Sequence, residues 1–341
     1  MKNKISVCLT ILLGMYLTDA NALQYSKNRF SFRLNGYGTA GIIEPDFNKP
    51  DFLGDWGIEM RMNYATAPGH TMGLVYEINQ EALDEDEFLH ELFALYEIRD
   101  LGRMEFGFTK SISEKLGTGL PDVGGMRVNH KPLFYKKIRP DGSVITSPLL
   151  SSGHDALRLN IVSSPKQGAQ YGISVAGITD DYDFAIDGGL KLRYPNGKLK
   201  TAISLGASFM DNLTGYQTAS YTPEVFADWR AQASAGINLQ YNSLVWATTG
   251  AVVYDKNKIG NVAGDGVSIG TGLSYDILNS TVSLTYIMSD TGIWDKDFEN
   301  YVDHTVIGSF RYKYTQYIDA WMSIGLTTKT PFLSTSIRLT F

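Results

Sequence analysis

The sequence predicts an all-β chain: a transmembrane antiparallel β-barrel of about 16 strands, with a long third external loop folded into its lumen. Three observations carry this prediction. Most of the chain repeats a unit of about ten residues in which apolar and polar side chains alternate, followed by a few turn residues; a period of 2 marks a strand with one apolar face. The connections between units alternate between tight turns and longer loops. Residues 111–153 break the rhythm: they are rich in Gly and Pro, carry charges of both signs, and show a period of neither 2 nor 3.6. A long stretch without periodicity inside a compact domain is usually functional.

The chain opens on a targeting segment. Lys2 and Lys4 precede an apolar run from Ile5 to Leu17, and Ala20-Asn21-Ala22 forms an A-x-A cleavage site. This reads as a secretory signal peptide over 1–22, leaving a single barrel domain over 23–341. Cys8, the only cysteine, leaves with the signal, so the mature chain is expected to have no disulfide, thiol catalyst or Cys-ligated metal. No cofactor is expected. Beyond the signal no run of about 18 apolar residues occurs, so no transmembrane helix is expected. A barrel is not excluded, because its strands show lipid only every second residue. The net charge of −6 argues against nucleic acid as a partner.

Taken in order, the first strand runs from Phe30, with Phe32 and Leu34 alternating against Ser31, Arg33 and Asn35. Trp56, Ile58, Met60, Met62 and Tyr64 alternate with Gly57, Glu59, Arg61 and Asn63. Met72, Leu74, Tyr76 and Ile78 form the third outward set, and Leu92, Ala94, Tyr96 and Ile98 the fourth. Met104, Phe106 and Phe108 form the fifth. After the gap, strands are expected at 154–163, 170–178, 186–194, 199–209, 227–241, 243–254, 266–276, 280–289, 302–314, 318–327 and 333–341. Tight connections fall at 67–69, 100–101, 164–169, 195–198, 242, 277–279 and 315–317. Longer ones fall at 43–53, 82–87, 111–153, 179–185, 210–226, 255–265, 290–301 and 328–332. One end with tight turns and one with longer loops is the outer-membrane arrangement. Closure is required because an unpaired backbone group in hydrocarbon costs several kcal/mol. Aromatics crowd the strand ends, at Tyr64, Tyr194, Phe209, Tyr241, Tyr254, Tyr275, Tyr312, Tyr314 and Phe341, as expected at headgroup level.

Other readings fit less well. Gly36 to Gly41 matches G-x-G-x-x-G, but a dinucleotide loop must follow a strand and open a helix, and these glycines lie inside an alternating segment. The acidic patch Asp84-Glu85-Asp86-Glu87 reads as a solvated loop tip, with a cation bridge to lipid headgroups or a subunit contact as the sharper alternative. His70, His90, His130, His154 and His304 are scattered, and neither G-x-S-x-G nor H-E-x-x-H occurs, so an enzyme is not expected. A substrate-specific channel, or an adhesin using loops 210–226 and 290–301, remains an alternative role for the barrel.

The signal peptide, the alternating segments, the long loop after the fifth strand, Asn35-Gly36-Tyr37-Gly38, and the final alternating strand ending in Phe341 resemble a Gram-negative general porin. The resemblance implies an outer-membrane, water-filled channel for passive diffusion of ions and small hydrophilic solutes. It also implies a homotrimer in contact with outer-membrane lipids and lipopolysaccharide, and recognition of Phe341 by the outer-membrane assembly machinery. In that family the third external loop carries acidic residues facing basic side chains on the opposite wall. Here Arg33, Arg61, Arg99 and Arg158 lie on inward positions, and the loop holds Glu114 and Asp122. Opposed fixed charge across a narrow aqueous gap creates a transverse field that biases ion entry. These six are the expected constriction residues.

Overall fold

The computed structural model describes residues 23–45, 47, 50–81, 88–120, 156–165, 168–177, 183–216, 225–256, 266–291, 301–328 and 330–341. The expected signal segment, the acidic patch 84–87 and Asp122 lie outside the described residues. Among the described residues, seventeen strands form one sheet. In chain order they are β1 (Leu23–Lys27), β2 (Phe30–Pro45), β3 (Asp51–Ala67), β4 (His70–Glu81), β5 (Phe88–Ile98) and β6 (Gly102–Phe108). A short helix, α1 (Ile112–Leu116), follows β6. Then come β7 (Leu157–Ser163), β8 (Ala169–Ala176), β9 (Phe184–Asn196), β10 (Leu199–Tyr216), β11 (Val225–Tyr241) and β12 (Leu244–Lys256). The last are β13 (Gly266–Ile277), β14 (Ser280–Thr291), β15 (Tyr301–Lys313), β16 (Ile318–Thr327) and β17 (Pro331–Thr340).

Each strand from β2 to β17 pairs antiparallel with the next, and β17 pairs with β2 from Phe332↔Pro45 to Thr340↔Tyr37. The sheet is therefore a closed barrel, and closure leaves no long edge with unpaired backbone groups. β1 was not expected from the alternation. It pairs with the start of β2, Leu23↔Leu34 to Lys27↔Phe30, just where β17 runs out. Phe341 bridges the handover: it exchanges two backbone hydrogen bonds with Gly36, of 2.8 and 2.9 Å. Its ring lies across Gly36, where an added Cβ would stand 2.3 Å from Cζ. The two ends of the barrel chain thus share one track.

The faces are inverted relative to a water-soluble protein. Leu284 is 56% exposed on the outside, and its neighbour Thr285 is 0% exposed on the inside. The same holds for Ile173 beside Ser174 and Leu205 beside Ser204. An apolar band this continuous on an outer surface calls for an apolar surrounding. Rings ring both rims. Phe184, Phe209, Trp229 and Tyr254 succeed one another at the long-loop end with centroids 5.5 to 6.0 Å apart. Tyr64, Tyr194, Tyr241 and Tyr275 stand exposed near the tight-turn end.

Several strands outrun their expected limits at the long-loop end: β3 begins at Asp51 and β10 continues to Tyr216. Beyond the apolar band both faces can meet water, so alternation stops while backbone pairing continues.

The tight turns bend through left-handed residues, among them Asn28, Gly69, Asp100, Gly197 and Asn242. Leu278 is the odd member, with φ 54° and a fully exposed side chain. A non-glycine, non-Asn residue there carries about 1 kcal/mol of strain. Leu278→Asn is expected to raise thermal stability in detergent by up to that amount; an unchanged or lower melting point would contradict the strain assignment.

Candidate pore constriction and the loop that enters the barrel

The chain leaves β6 at Thr109 and turns inward. Ser111 caps α1, its Oγ accepting the Glu114 N–H at 3.3 Å. The helix packs on the inner faces of β7 to β10. Ile112 and Leu116 are buried with Val162 of β7. Beyond the helix the Thr118 N–H donates to Ser204 Oγ on β10 at 2.9 Å, and Leu120 lies over Gly270 of β13. The described part of the loop therefore crosses the inside of the barrel.

Glycines make the room. Gly172, Gly189 and Gly206 are direct register partners on β8, β9 and β10, and all three face inward. A Cβ at Gly189 would stand 3.0 Å from the Ile112 carbonyl oxygen, and one at Gly206 3.2 Å from Ser113 Cβ. The bare row lets loop backbone lie directly on the wall.

Three carboxylates of the wall, Glu91, Glu105 and Asp187, anchor the foot of the loop. Lys110 Nζ pairs with Glu91 Oε1 at 2.8 Å, and Thr109 Oγ1 donates to Glu91 Oε2 at 3.3 Å. Burial opposes the charge on Lys110, but Glu91, Glu114 and Glu77 outweigh it and hold its ammonium above the ordinary lysine range. Lys115 Nζ pairs with buried Glu105, which also takes Arg103 at 2.6 Å and Asn160 Nδ2 at 2.9 Å. Lys115 also sits 4.6 Å from the centre of the Phe93 ring. The third anchor is Asp187 of β9. It accepts the Ser113 N–H at 2.9 Å, Arg158 NH1 at 2.8 Å and the Ser174 hydroxyl.

The expected constriction residues are therefore divided. Arg33 and Arg61 are register partners on β2 and β3, each with Nε bonded to an Asn two residues on, at 2.9 and 3.3 Å. Arg99 stands exposed just past β5. Arg158 points inward as its parity requires, but its side chain is fully buried and bound to Asp187. Glu114 is 7% exposed within the loop helix, and its charge favours the ammonium of Lys110. Two residues further from the tight turns than Arg33 and Arg61, a second tier is acidic: Glu59 is the register partner of Glu77, and Glu77 of Glu91. The foot of the loop thus brings lysines to carboxylates of the wall, the opposite polarity from an acidic loop facing a basic wall.

Sequence reasoning missed Glu91, Glu105 and Asp187 as anchors, and the glycine row. One signal was present: Ser111-x-x-Glu114 is a capping-box spacing and marks a helix start inside the apparently structureless gap. Among the described residues no group of three or more His, Cys, Asp or Glu is placed to hold a metal ion.

No family model and no curated protein matches this sequence. Solved structures do match. OmpF of Salmonella typhi, in complex with daunomycin, superposes with a TM-score of 0.66 at 10% identity, over 94% of this chain and 100% of that one. The fold is that of the porins. In-vitro folded OmpT of Vibrio cholerae, in a trimer form, gives 0.63 at 12% identity over 92% of this chain and 100% of its own. An anion-selective porin from Comamonas acidovorans gives 0.61 at 12% identity over 92% and 100%. At these identities the porin fold is shared while the side chains that line it are this chain's own.

Proposed function

We propose that this protein is an outer-membrane porin of a Gram-negative bacterium, a water-filled channel for passive diffusion of ions and small hydrophilic solutes. The observation that carries the reading is the pairing of a closed barrel, apolar outside and polar inside, with a loop bound across its inner wall. A loop held against the wall narrows a water-filled lumen and sets what passes. The chain performs no catalysis in this reading. It assembles as a homotrimer, contacts outer-membrane lipids and lipopolysaccharide, and is recognised by the assembly machinery through Phe341. The removed segment 1–22 directs its export.

Arg33 and Arg61 supply open positive charge along the lumen, Arg99 adds to it at the tight-turn mouth, and Asp122 supplies the acidic side, Glu114 being buried and acting on Lys110. Arg158 contributes by holding Asp187 and hence the loop. Purified protein in liposomes should make them permeable to small sugars; impermeable liposomes would contradict the channel. Replacing Arg33 and Arg61 together by Gln should shift the zero-current potential in a KCl gradient towards cation preference. An unchanged potential would remove these residues from the solute path.

A further inference from the structure

A cavity of about 550 Å³ opens at the tight-turn mouth, lined by Arg29, Arg61 and Arg99 with Asn63, Glu97 and His70 among its other residues. The three arginines come from distant parts of the sequence, yet all are pinned to the β3–β4 hairpin. Arg61 is part of β3 itself. The Arg29 carbonyl accepts the Ala65 N–H at 2.8 Å, and Arg29 NH1 reaches the Thr66 carbonyl at 3.4 Å. The Arg99 N–H donates to the Gly69 carbonyl at 2.7 Å. Asn63 Oδ1 orients Arg61, and it fits only because residue 73 is glycine: a Cβ there would stand 2.5 Å from that oxygen.

Three arginines therefore line one cavity with one lining carboxylate, Glu97. None of the three makes an ion pair among the described residues. This contrasts with Arg103, Arg158 and Arg230, each of which is bonded to a carboxylate. Clustered like charges repel, and fixed guanidinium forks match the oxygens of a tetrahedral oxyanion in pairs. We propose that this cavity binds an oxyanion of the phosphate class carrying two or more negative charges, held by Arg29, Arg61 and Arg99. The cavity lies on the inner face, so its ligand is a free solute and not a lipid headgroup. The proposal deepens the channel reading by naming a class of solute that would linger at the inner mouth, but the site itself needs only the folded barrel.

The test is calorimetric titration of the full barrel in detergent with sodium pyrophosphate at low ionic strength. Saturable binding is expected, unaffected by a phosphatidylglycerol-containing micelle and weakened roughly tenfold in each of R29Q, R61Q and R99Q. Absent binding, or equal affinity in the triple variant, would overturn the proposal, and displacement by the anionic lipid would overturn the assignment to a free solute. R99Q changes an exposed turn residue, so it keeps the test alive if the other variants fail to fold. In planar bilayers, pyrophosphate added on the tight-turn side should reduce the KCl current of the wild type and leave that of the triple variant unchanged. A wild-type barrel that binds pyrophosphate but passes no current would refute the channel reading and leave the site standing.

Discussion

Asp187→Ala is expected to lower the stability of the barrel by about 3–5 kcal/mol, the cost typical of breaking a buried ion pair from one side. The Asp187 carboxylate lies at the junction of three elements. It holds the Arg158 guanidinium of β7, the Ser174 hydroxyl of β8 and the Ser113 backbone N–H of the loop, all fully or almost fully buried. Removing it takes the counter-charge from a guanidinium that water does not reach and strands a backbone donor as well. These costs share partners, so they do not add. Asp187→Asn keeps an acceptor for Ser113 but not the charge, and should fall between the wild type and Ala. The midpoint of thermal unfolding in detergent reads both variants. Melting points within a degree of the wild type would show that the anchor has no energetic role.

The second large effect concerns the pore. Gly189→Leu should push the loop off the wall and raise single-channel conductance, by up to about twofold if the loop sets the narrowest section. The new Cβ alone would meet the Ile112 carbonyl oxygen at 3.0 Å and Leu116 Cβ at 3.3 Å, and the rest of the side chain has only the loop ahead of it. Overpacking of this kind costs about 1–3 kcal/mol, which the barrel ladders can absorb and the loop docking cannot. Deleting residues 118–145 should give the same direction by a different route, without touching the glycine row. Unchanged conductance in both would place the narrowest section elsewhere.

The barrel was legible because lipid imposes its own order on the sequence. Along β10, Leu199, Ile203, Leu205 and Phe209 must face one way, and a shift by one residue would turn every one of them into the lumen. The inward parity of Arg33, Arg61 and Arg158 followed from the same rule. What the rule cannot see is where the apolar surround ends or what lies across the inner face. β1 escaped because a short exposed strand carries too few residues to show a period. The row Gly172, Gly189 and Gly206 escaped because its members are far apart in sequence and become neighbours only through register. Phe93 and Leu95 are apolar at inward positions, against the polar lumen side that alternation implies; they form an apolar patch with Val75. Whether an inward arginine is open charge or a buried anchor depends on a partner such as Asp187, and parity gives no distance to it.

The most direct measurement is the current carried by the purified protein across a planar lipid bilayer in KCl. Discrete, long-lived conductance steps are expected from the wild type, and larger ones from Gly189→Leu and from the 118–145 deletion. Protein that inserts as a β-rich species yet produces no steps would contradict a water-filled lumen narrowed by its own third loop.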